Sequence, residues 1–152
     1  MRSVTFLAQI DATALTTPHY VISISDKEDV RFSCEHFDVL RLKFEDIEQH
    51  CAGQELFSVQ HARAVLKWAK RVPDGAAVVV HCQAGVSRSA AIAKFMNDHL
   101  GYLLLLDKPC YGKLDKYNGH VYGLLRLLDS DRSALAMMLE EEQDRQSVLV
   151  KW

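Results

Sequence analysis

The sequence predicts an α/β fold with a central, largely parallel mixed sheet flanked by helices. Apolar runs of strand length alternate along the chain with longer segments whose apolar residues recur at helical spacing. The clearest apolar run, Ala76 to Val80, contains consecutive β-branched residues and follows the turn-forming sequence Pro73-Asp74-Gly75. This pattern is typical of a strand buried on both faces of a parallel sheet. A tract of small and apolar residues follows closely and predicts a central helix packed behind that strand.

The first half of the chain is predicted to contain three strands and one long helix. The first two strands are Ser3 to Ala8 and Tyr20 to Ile24. Ala12 to Pro18, between them, is expected to be a loop or a short helix, because it ends at a Thr-Pro pair that breaks a helix. The third strand is Val39 to Phe44. Apolar residues at helical spacing then predict an amphipathic helix from Glu55 to Arg71.

The second half opens with the buried strand, Ala76 to His81, which the preceding helix is expected to cover. The central helix is predicted from Ser87 to about Leu100, since its residues are apolar on nearly every side. Asp107 to Gly119 contains proline, glycine and several lysines and is expected to be a loop. An apolar stripe from Val121 to Leu128 and a last helix from Ser133 to about Asp144 complete the predicted elements.

Length and composition bound the class of protein. A chain of 152 residues with 49% apolar and 25% charged residues can bury a core, so residues 1–152 are expected to form a single domain. The net charge of −2 gives no general attraction to nucleic acids or anionic membranes. No apolar stretch has the length of a signal peptide or a membrane span. We therefore expect a cytoplasmic protein, monomeric, without a nucleic-acid or membrane partner.

Cysteine and histidine spacing does not indicate a metal site or a disulfide framework. The four cysteines contain no C-x-x-C pair, and the seven histidines show no ligand spacing with each other or with the cysteines. No metal and no other cofactor is expected. Pairing of one of the other three cysteines with Cys82 in a regulatory disulfide is left open by the sequence: Cys34, Cys51 and Cys110.

Residues 81 to 89, His-Cys-Gln-Ala-Gly-Val-Ser-Arg-Ser, lie where the buried strand should turn into the central helix. Gly85 allows the loop to curl so that backbone N–H groups point inward, and a helix starting near Ser87 adds its free N–H groups and the positive end of its dipole. This arrangement would bind a tetrahedral oxyanion and would favour a thiolate at Cys82. Arg88 offers a planar fork that can hold two phosphate oxygens. The loop therefore predicts a phosphate site with a nucleophile at its floor.

The string Cys82-x-x-Gly85-x-x-Arg88-Ser89, preceded by His81, resembles the signature of the cysteine-dependent protein tyrosine phosphatase superfamily. The short chain is similar in length to the dual-specificity-like branch. The resemblance implies an enzyme that hydrolyses phosphotyrosine, and also phosphoserine and phosphothreonine, on a phosphorylated protein substrate through a phosphocysteine intermediate. It implies a phosphate loop between the buried strand and the central helix.

The same resemblance implies a role for each residue of the loop. Cys82 would be the nucleophile, Ser89 would hydrogen-bond the cysteine sulfur, and the His81 ring would bond the loop backbone and hold its curl. The phosphate would be bound by the loop interior and its arginine: Gln83, Ala84, Gly85, Val86, Ser87 and Arg88.

The resemblance also implies a general acid carried on a separate loop upstream. Protonation of the leaving oxygen needs a carboxylic acid within hydrogen-bond reach of the bound phosphate ester. In the family an aspartate commonly ends a strand at this place, and Asp46 is the residue that corresponds, 36 positions before Cys82. Three other carboxylates remain rivals: Glu45, Glu48 and Asp38.

Two other functions stay open at this level. The chain could be a phosphate-binding module with little turnover, or a phosphatase of RNA 5′ ends or of small phosphorylated molecules. Members of the family that act on phosphoinositides often carry lysines inside the loop to meet additional phosphates. The resemblance, with an uncharged loop interior here, therefore favours a single phosphate on a protein side chain.

Overall fold

The computed structural model describes residues 1–106 and 114–130. The predicted helix from Ser133 to about Asp144 and the first half of the loop predicted at Asp107 to Gly119 lie outside these residues, as does Cys110. Within the described part of the chain, no helix is both long enough and apolar enough to cross a membrane.

One five-stranded sheet forms the centre of the structure, with the strand order β3-β2-β4-β1-β5. The strands are β1 Ser3–Ala8, β2 Tyr20–Ser25, β3 Asp38–Lys43, β4 Ala77–Cys82 and β5 Leu103–Leu104. All pairings between these strands are parallel. The predicted α/β class is therefore confirmed, and the described sheet is parallel throughout, where the sequence predicted a largely parallel mixed one.

The helices are α1 Gln9–Thr13, α2 Val59–Arg71, α3 Arg88–His99 and α4 Gly119–Ser130, with a short 3-10 turn at Leu114–Lys116. Helix α2 begins four residues later than the predicted start at Glu55. Its N-cap is Ser58, whose hydroxyl accepts from the His61 N–H while the His61 ring accepts from the Ser58 N–H. Glu55 instead pairs with Glu45 and belongs to the preceding loop: its carbonyl accepts from the Glu45 N–H, and its N–H donates to the Glu45 carboxylate.

Successive side chains of a strand point to opposite faces of the sheet. The apolar residues therefore form two clusters, one on each face. The larger cluster joins strand residues such as Phe6, Ile22 and Val80 to helices α2, α3 and α4. The smaller cluster joins Leu7 and Val79 to the short helix α1 on the other face. Helix α3 is buried along most of its length, as expected for the predicted central helix.

Parallel pairing brings the carboxyl ends of the strands together at one edge of the sheet, where open α/β sheets bind their ligands. Gln9 follows β1, Asp26 follows β2, Asp46 comes three residues after β3, and Cys82 ends β4. Residues that are far apart in the chain therefore meet around the end of the central strand β4.

Candidate active site

The loop Gln83–Ser87 connects β4 to α3 and packs against the end of β1. Gly85 has a φ of +69°, in the left-handed region that favours glycine. A Cβ atom at this position would lie 2.4 Å from the backbone nitrogen of Ala8. Both the backbone conformation and this close approach exclude a larger residue, so Gly85 is required for the loop to curl against β1.

Cys82 and Ser89 lie on either side of the loop and contact each other. The Cys82 Sγ atom is 3.1 Å from the Ser89 hydroxyl, and both residues are buried. The contact that the family resemblance implied between these two residues is therefore present.

Arg88 is the first residue of α3, and its guanidinium is almost completely buried. Its Nη1 atom donates to the Asp26 carboxylate at 2.5 Å and to the Phe44 carbonyl at 2.7 Å. The Asp26 side chain is 45% exposed, so it forms the solvent side of this ion pair. Residues after β2 and β3 thus hold one nitrogen of the guanidinium in a fixed position beside the loop.

Asp46 lies in the loop after β3 and is hydrogen-bonded to the end of the Gln83–Ser87 loop. Its Oδ1 atom accepts from the Ser87 hydroxyl at 2.8 Å and from the Asn118 side-chain amide at 2.9 Å. The Asn118 N–H donates to the Ser87 carbonyl at 3.0 Å, and the Asn118 Oδ1 atom accepts from the Val121 N–H at 3.0 Å, which caps helix α4. Asn118 therefore joins the loop after β3 and the start of helix α4 to Ser87, the last residue before helix α3.

The three rival carboxylates have other contacts. Asp38 begins β3 and accepts from the Trp68 indole N–H at 2.9 Å. It lies at the opposite end of that strand, about 17 Å from the carboxyl end at a strand rise of about 3.3 Å per residue. Glu48 accepts from the Gly119 N–H, and the side chain of Glu45 accepts from the Glu55 N–H. Of these rivals only Glu45 lines the same cleft as Cys82.

His81 is fully buried and lies beside the smaller apolar cluster. Its Nε2 atom is 2.7 Å from the Ser23 hydroxyl on the adjacent strand β2, and its ring packs edge-on against Phe32. The Nε2 atom of this ring is thus anchored to a neighbouring strand, and the expected bond from the ring to the loop backbone stays a prediction. Burial, together with the charges of Arg41 and Arg88, lowers the pKa of His81 to about 4, so the ring is neutral at pH 7.

A cleft of about 360 Å³ opens over this arrangement. It is lined by the nucleophile candidate, most of the loop and the acidic residues facing it: Asp26, Glu45, Asp46, Gln54, Cys82, Gln83, Ala84, Val86, Ser87 and Arg88. The structure thus brings Cys82, Arg88 and Asp46 to one cleft, with Ser89 behind the sulfur. Gly85 packs on β1 rather than lining the cleft.

No role was predicted from the sequence for Asp26, Asn118 or Ser23. Asp26 could have been noticed, because an acidic residue directly after a strand of a parallel sheet must lie at the carboxyl edge. Asn118 carries the N-cap signal of a residue that precedes an apolar helix. Ser23 has no distinguishing signal, since it lies within an apolar strand and its partner His81 is 58 residues away.

Cys34, Cys51 and Cys82 are free thiols in the structure. The Cys34 Sγ atom lies 4.0 Å from the ring of His36. Across residues 1–106 and 114–130, no group of three or more histidine, cysteine and acidic side chains is arranged to hold a metal ion.

No protein-family model, curated protein or solved structure matched this chain in the comparisons.

Proposed function

We propose that this chain is a cysteine-dependent phosphatase. Its substrates are phosphotyrosine, and also phosphoserine and phosphothreonine, on proteins, and the reaction passes through a phosphocysteine intermediate. The single observation that carries the proposal is the meeting of Cys82, Arg88 and Asp46 in one cleft, with the Ser89 hydroxyl 3.1 Å from the Cys82 sulfur.

In the first step the Cys82 thiolate attacks phosphorus in line with the leaving oxygen. The S–P bond forms as the P–O bond to the substrate side chain breaks, and the carboxylic acid of Asp46 gives its proton to the departing oxygen. In this proposal Arg88 and backbone N–H groups of the loop stabilise the negative charge on the three equatorial oxygens. Because Asp26 and the Phe44 carbonyl hold Nη1, the remaining N–H groups of Arg88 are the ones free to contact phosphate.

In the second step water attacks the phosphocysteine. The Asp46 carboxylate takes a proton from that water, the S–P bond breaks, and inorganic phosphate leaves. The Ser89 hydroxyl donates a hydrogen bond to the departing Cys82 thiolate, which stabilises the charge that develops on sulfur. The whole cycle restores the thiolate and the protonated acid without any redox change.

The loop interior supports a phosphomonoester on a protein as substrate. Gln83, Ala84, Val86 and Ser87 are uncharged, so the loop contains no cation for a second phosphate on the same ring. The cleft is partly open to solvent, which suits phosphorylated residues of different lengths. The thiolate requires a reducing compartment, and we therefore propose that the protein acts in the cytoplasm.

The decisive test is the turnover of an aryl phosphate by the wild-type chain and by Cys82→Ser. Wild-type protein should release phosphate, should be inhibited by vanadate and should trap a phosphoryl group on Cys82 after a rapid quench. Cys82→Ser should lose turnover by more than about a thousandfold, as expected for removal of a covalent nucleophile. A matched Cys51→Ser variant, which alters an exposed cysteine outside the cleft, should keep full activity.

The same assay separates the other functions. Tight binding of phosphopeptide without turnover by wild-type protein would indicate a phosphate-binding module. Turnover of a 5′-triphosphate RNA in preference to phosphopeptides would indicate a phosphatase of RNA ends. Wild-type activity in Cys82→Ser would overturn the assignment of the nucleophile.

A further inference from the structure

A second cleft of about 340 Å³ opens beside the first one. One of its walls is the segment 26–31 after strand β2, and the rest of the lining includes Gln9 and Thr13 of helix α1 together with Gln83 and Arg88. Both clefts share Asp26, Gln83 and Arg88, so the Asp26–Arg88 ion pair marks the boundary between them.

The wall formed by segment 26–31 is held in place by the following strand. Arg41 of β3 donates from Nη1 to the Val30 carbonyl at 2.9 Å, and Val30 itself is buried. Lys43 of the same strand lies 3.4 Å from the Asp29 carboxylate. Just beyond the segment, Phe32 packs against both the Arg41 guanidinium and the His81 ring. The second cleft is therefore preformed rather than dependent on a mobile loop.

The charges that line this cleft fall into paired and unpaired groups. Asp26 is paired with Arg88, and Asp29 is paired with Lys43. Lys27 and Arg31 are exposed and have no charged partner among the described residues.

Glu28 is the carboxylate of the lining that has no cationic partner in the described part of the chain. Three acidic and three basic side chains line this cleft, so its formal charge is zero, and Lys27 and Arg31 are the bases of the lining that no ion pair occupies in the described residues.

We propose that this second cleft binds an anionic side chain of the substrate that lies close in sequence to its phosphorylated residue. The anion is a carboxylate or a second phosphate, and Lys27 and Arg31 supply the charge that attracts it. A peptide whose phosphate lies over Cys82 meets the second cleft directly across the Asp26–Arg88 pair. This inference rests on the proposed function in that it takes the first cleft as the place where the phosphate is bound.

The expected preference is modest, because exposed ion pairs are weakened by solvent and salt. A single exposed pair changes an equilibrium or rate constant by roughly 1.5- to 5-fold. Two cations acting on one anion should therefore favour an anionic neighbour by roughly fivefold at low ionic strength. Added salt should reduce this preference, since surface charges are screened within about 10 Å at 0.1 M salt.

The test compares phosphotyrosine peptides that differ only at the residues flanking the phosphotyrosine. The flanks are glutamine, glutamate, phosphoserine and lysine, and the measured quantity is kcat/KM relative to the glutamine peptide. Wild-type protein should prefer the glutamate or the phosphoserine peptide by roughly fivefold and should disfavour the lysine peptide. If the glutamate peptide is preferred, the anion that binds is a carboxylate. If the phosphoserine peptide is preferred, the anion is a phosphate.

Lys27→Gln and Arg31→Gln should each reduce that ratio, and the double variant should bring it close to one. Arg126→Gln is the matched control, because Arg126 is an exposed arginine two turns along α4 and lines neither cleft. The ratio should be unchanged in this control. An unchanged ratio in the double variant, or a preference for the lysine peptide in the wild type, would overturn the proposal.

Binding of the same peptides to Cys82→Ser, measured by fluorescence anisotropy, separates this inference from the proposed function. If the wild type turns over no peptide but Cys82→Ser still prefers anionic flanks through Lys27 and Arg31, the phosphatase assignment fails and the second cleft stands. If turnover occurs but the flanks make no difference to rate or binding, the phosphatase assignment stands and the second cleft is wrong.

Discussion

Asp46 and Ser87 are joined by a hydrogen bond of 2.8 Å, although they are 41 residues apart in the chain. The bond connects the loop after β3 to the last residue before helix α3, which begins with Arg88. The candidate acid is thus fixed relative to the candidate phosphate loop.

Asp46→Ala should reduce kcat by roughly a hundredfold or more on an alkyl phosphate, which needs a protonated leaving group. The loss should be smaller on an aryl phosphate with a good leaving group. The basic limb of the pH–rate profile should disappear with the acid. Asp38→Asn is the control, because Asp38 lies at the other end of β3. Equal reductions of kcat on both substrates would mean that another carboxylate is the general acid, and Glu45 would be the first candidate.

Ser89→Ala should slow the breakdown of phosphocysteine more than its formation, since the hydroxyl contacts the sulfur that leaves in the second step. A hydrogen bond to a charged group contributes about 1.5–3 kcal/mol, which corresponds to roughly a 10- to 100-fold slower second step. Rapid-quench kinetics should show a larger burst of the leaving group followed by a slower steady state. Loss of the burst with a proportional fall in the first step would contradict this role.

Asp26→Asn should tighten the binding of inorganic phosphate by a few-fold. The substitution keeps an oxygen that can accept from Arg88 but removes a negative charge next to the bound dianion. Competitive inhibition by phosphate, measured at fixed ionic strength, gives the binding constant. Glu35→Gln, an exposed carboxylate outside both clefts, is the control. Weaker phosphate binding in Asp26→Asn would mean that the charge of Asp26 is needed to hold Arg88 in position.

Asn118→Ala should lower both stability and activity, because this side chain donates to Asp46 and caps helix α4. Loss of an N-cap costs about 1 kcal/mol in the free energy of unfolding, which urea denaturation would measure. The kcat on an alkyl phosphate should fall more than that on an aryl phosphate, as for Asp46→Ala. If Asn118→Ala lowers stability but reduces kcat equally on the alkyl and the aryl phosphate, the role of Asn118 is limited to capping helix α4.

The fold should lose stability as the pH falls from 6.5 towards 4. Burial lowers the pKa of His81 from 6.5 to about 4, so between these values the unfolded chain binds a proton that the folded protein does not. The contribution of His81 is fully present above pH 6.5 and is lost on acidification, by roughly 3 kcal/mol at most. Burial also lowers the pKa values of His36 and His61, which act in the same direction.

Urea denaturation at pH 7, 5.5 and 4.5 would measure this dependence in the wild type and in His81→Asn. The difference in unfolding free energy between the two proteins should shrink as the pH falls. A constant difference across this range would show that protonation of His81 does not oppose folding.

Local features of the chain were predictable because their causes are local. The strand Ser3–Ala8 follows from an apolar run of strand length, and the predicted start of the central helix near Ser87 agrees with an observed start at Arg88. The start of α2 was predicted too early, because the pairing of Glu55 with Glu45 across a loop has no signature in the periodicity.

The sequence by itself determined the strand–loop–helix unit around Cys82 and Arg88, since Gly85, the apolar strand and the small-residue helix specify that unit through neighbours in the chain. Only the tertiary structure decided that Asp26 holds Arg88, that Asn118 joins Asp46, and that Asp38 lies away from the cleft. These outcomes depend on the order and direction of the strands. That order is set by the burial of apolar residues over the whole sheet, which no local pattern encodes.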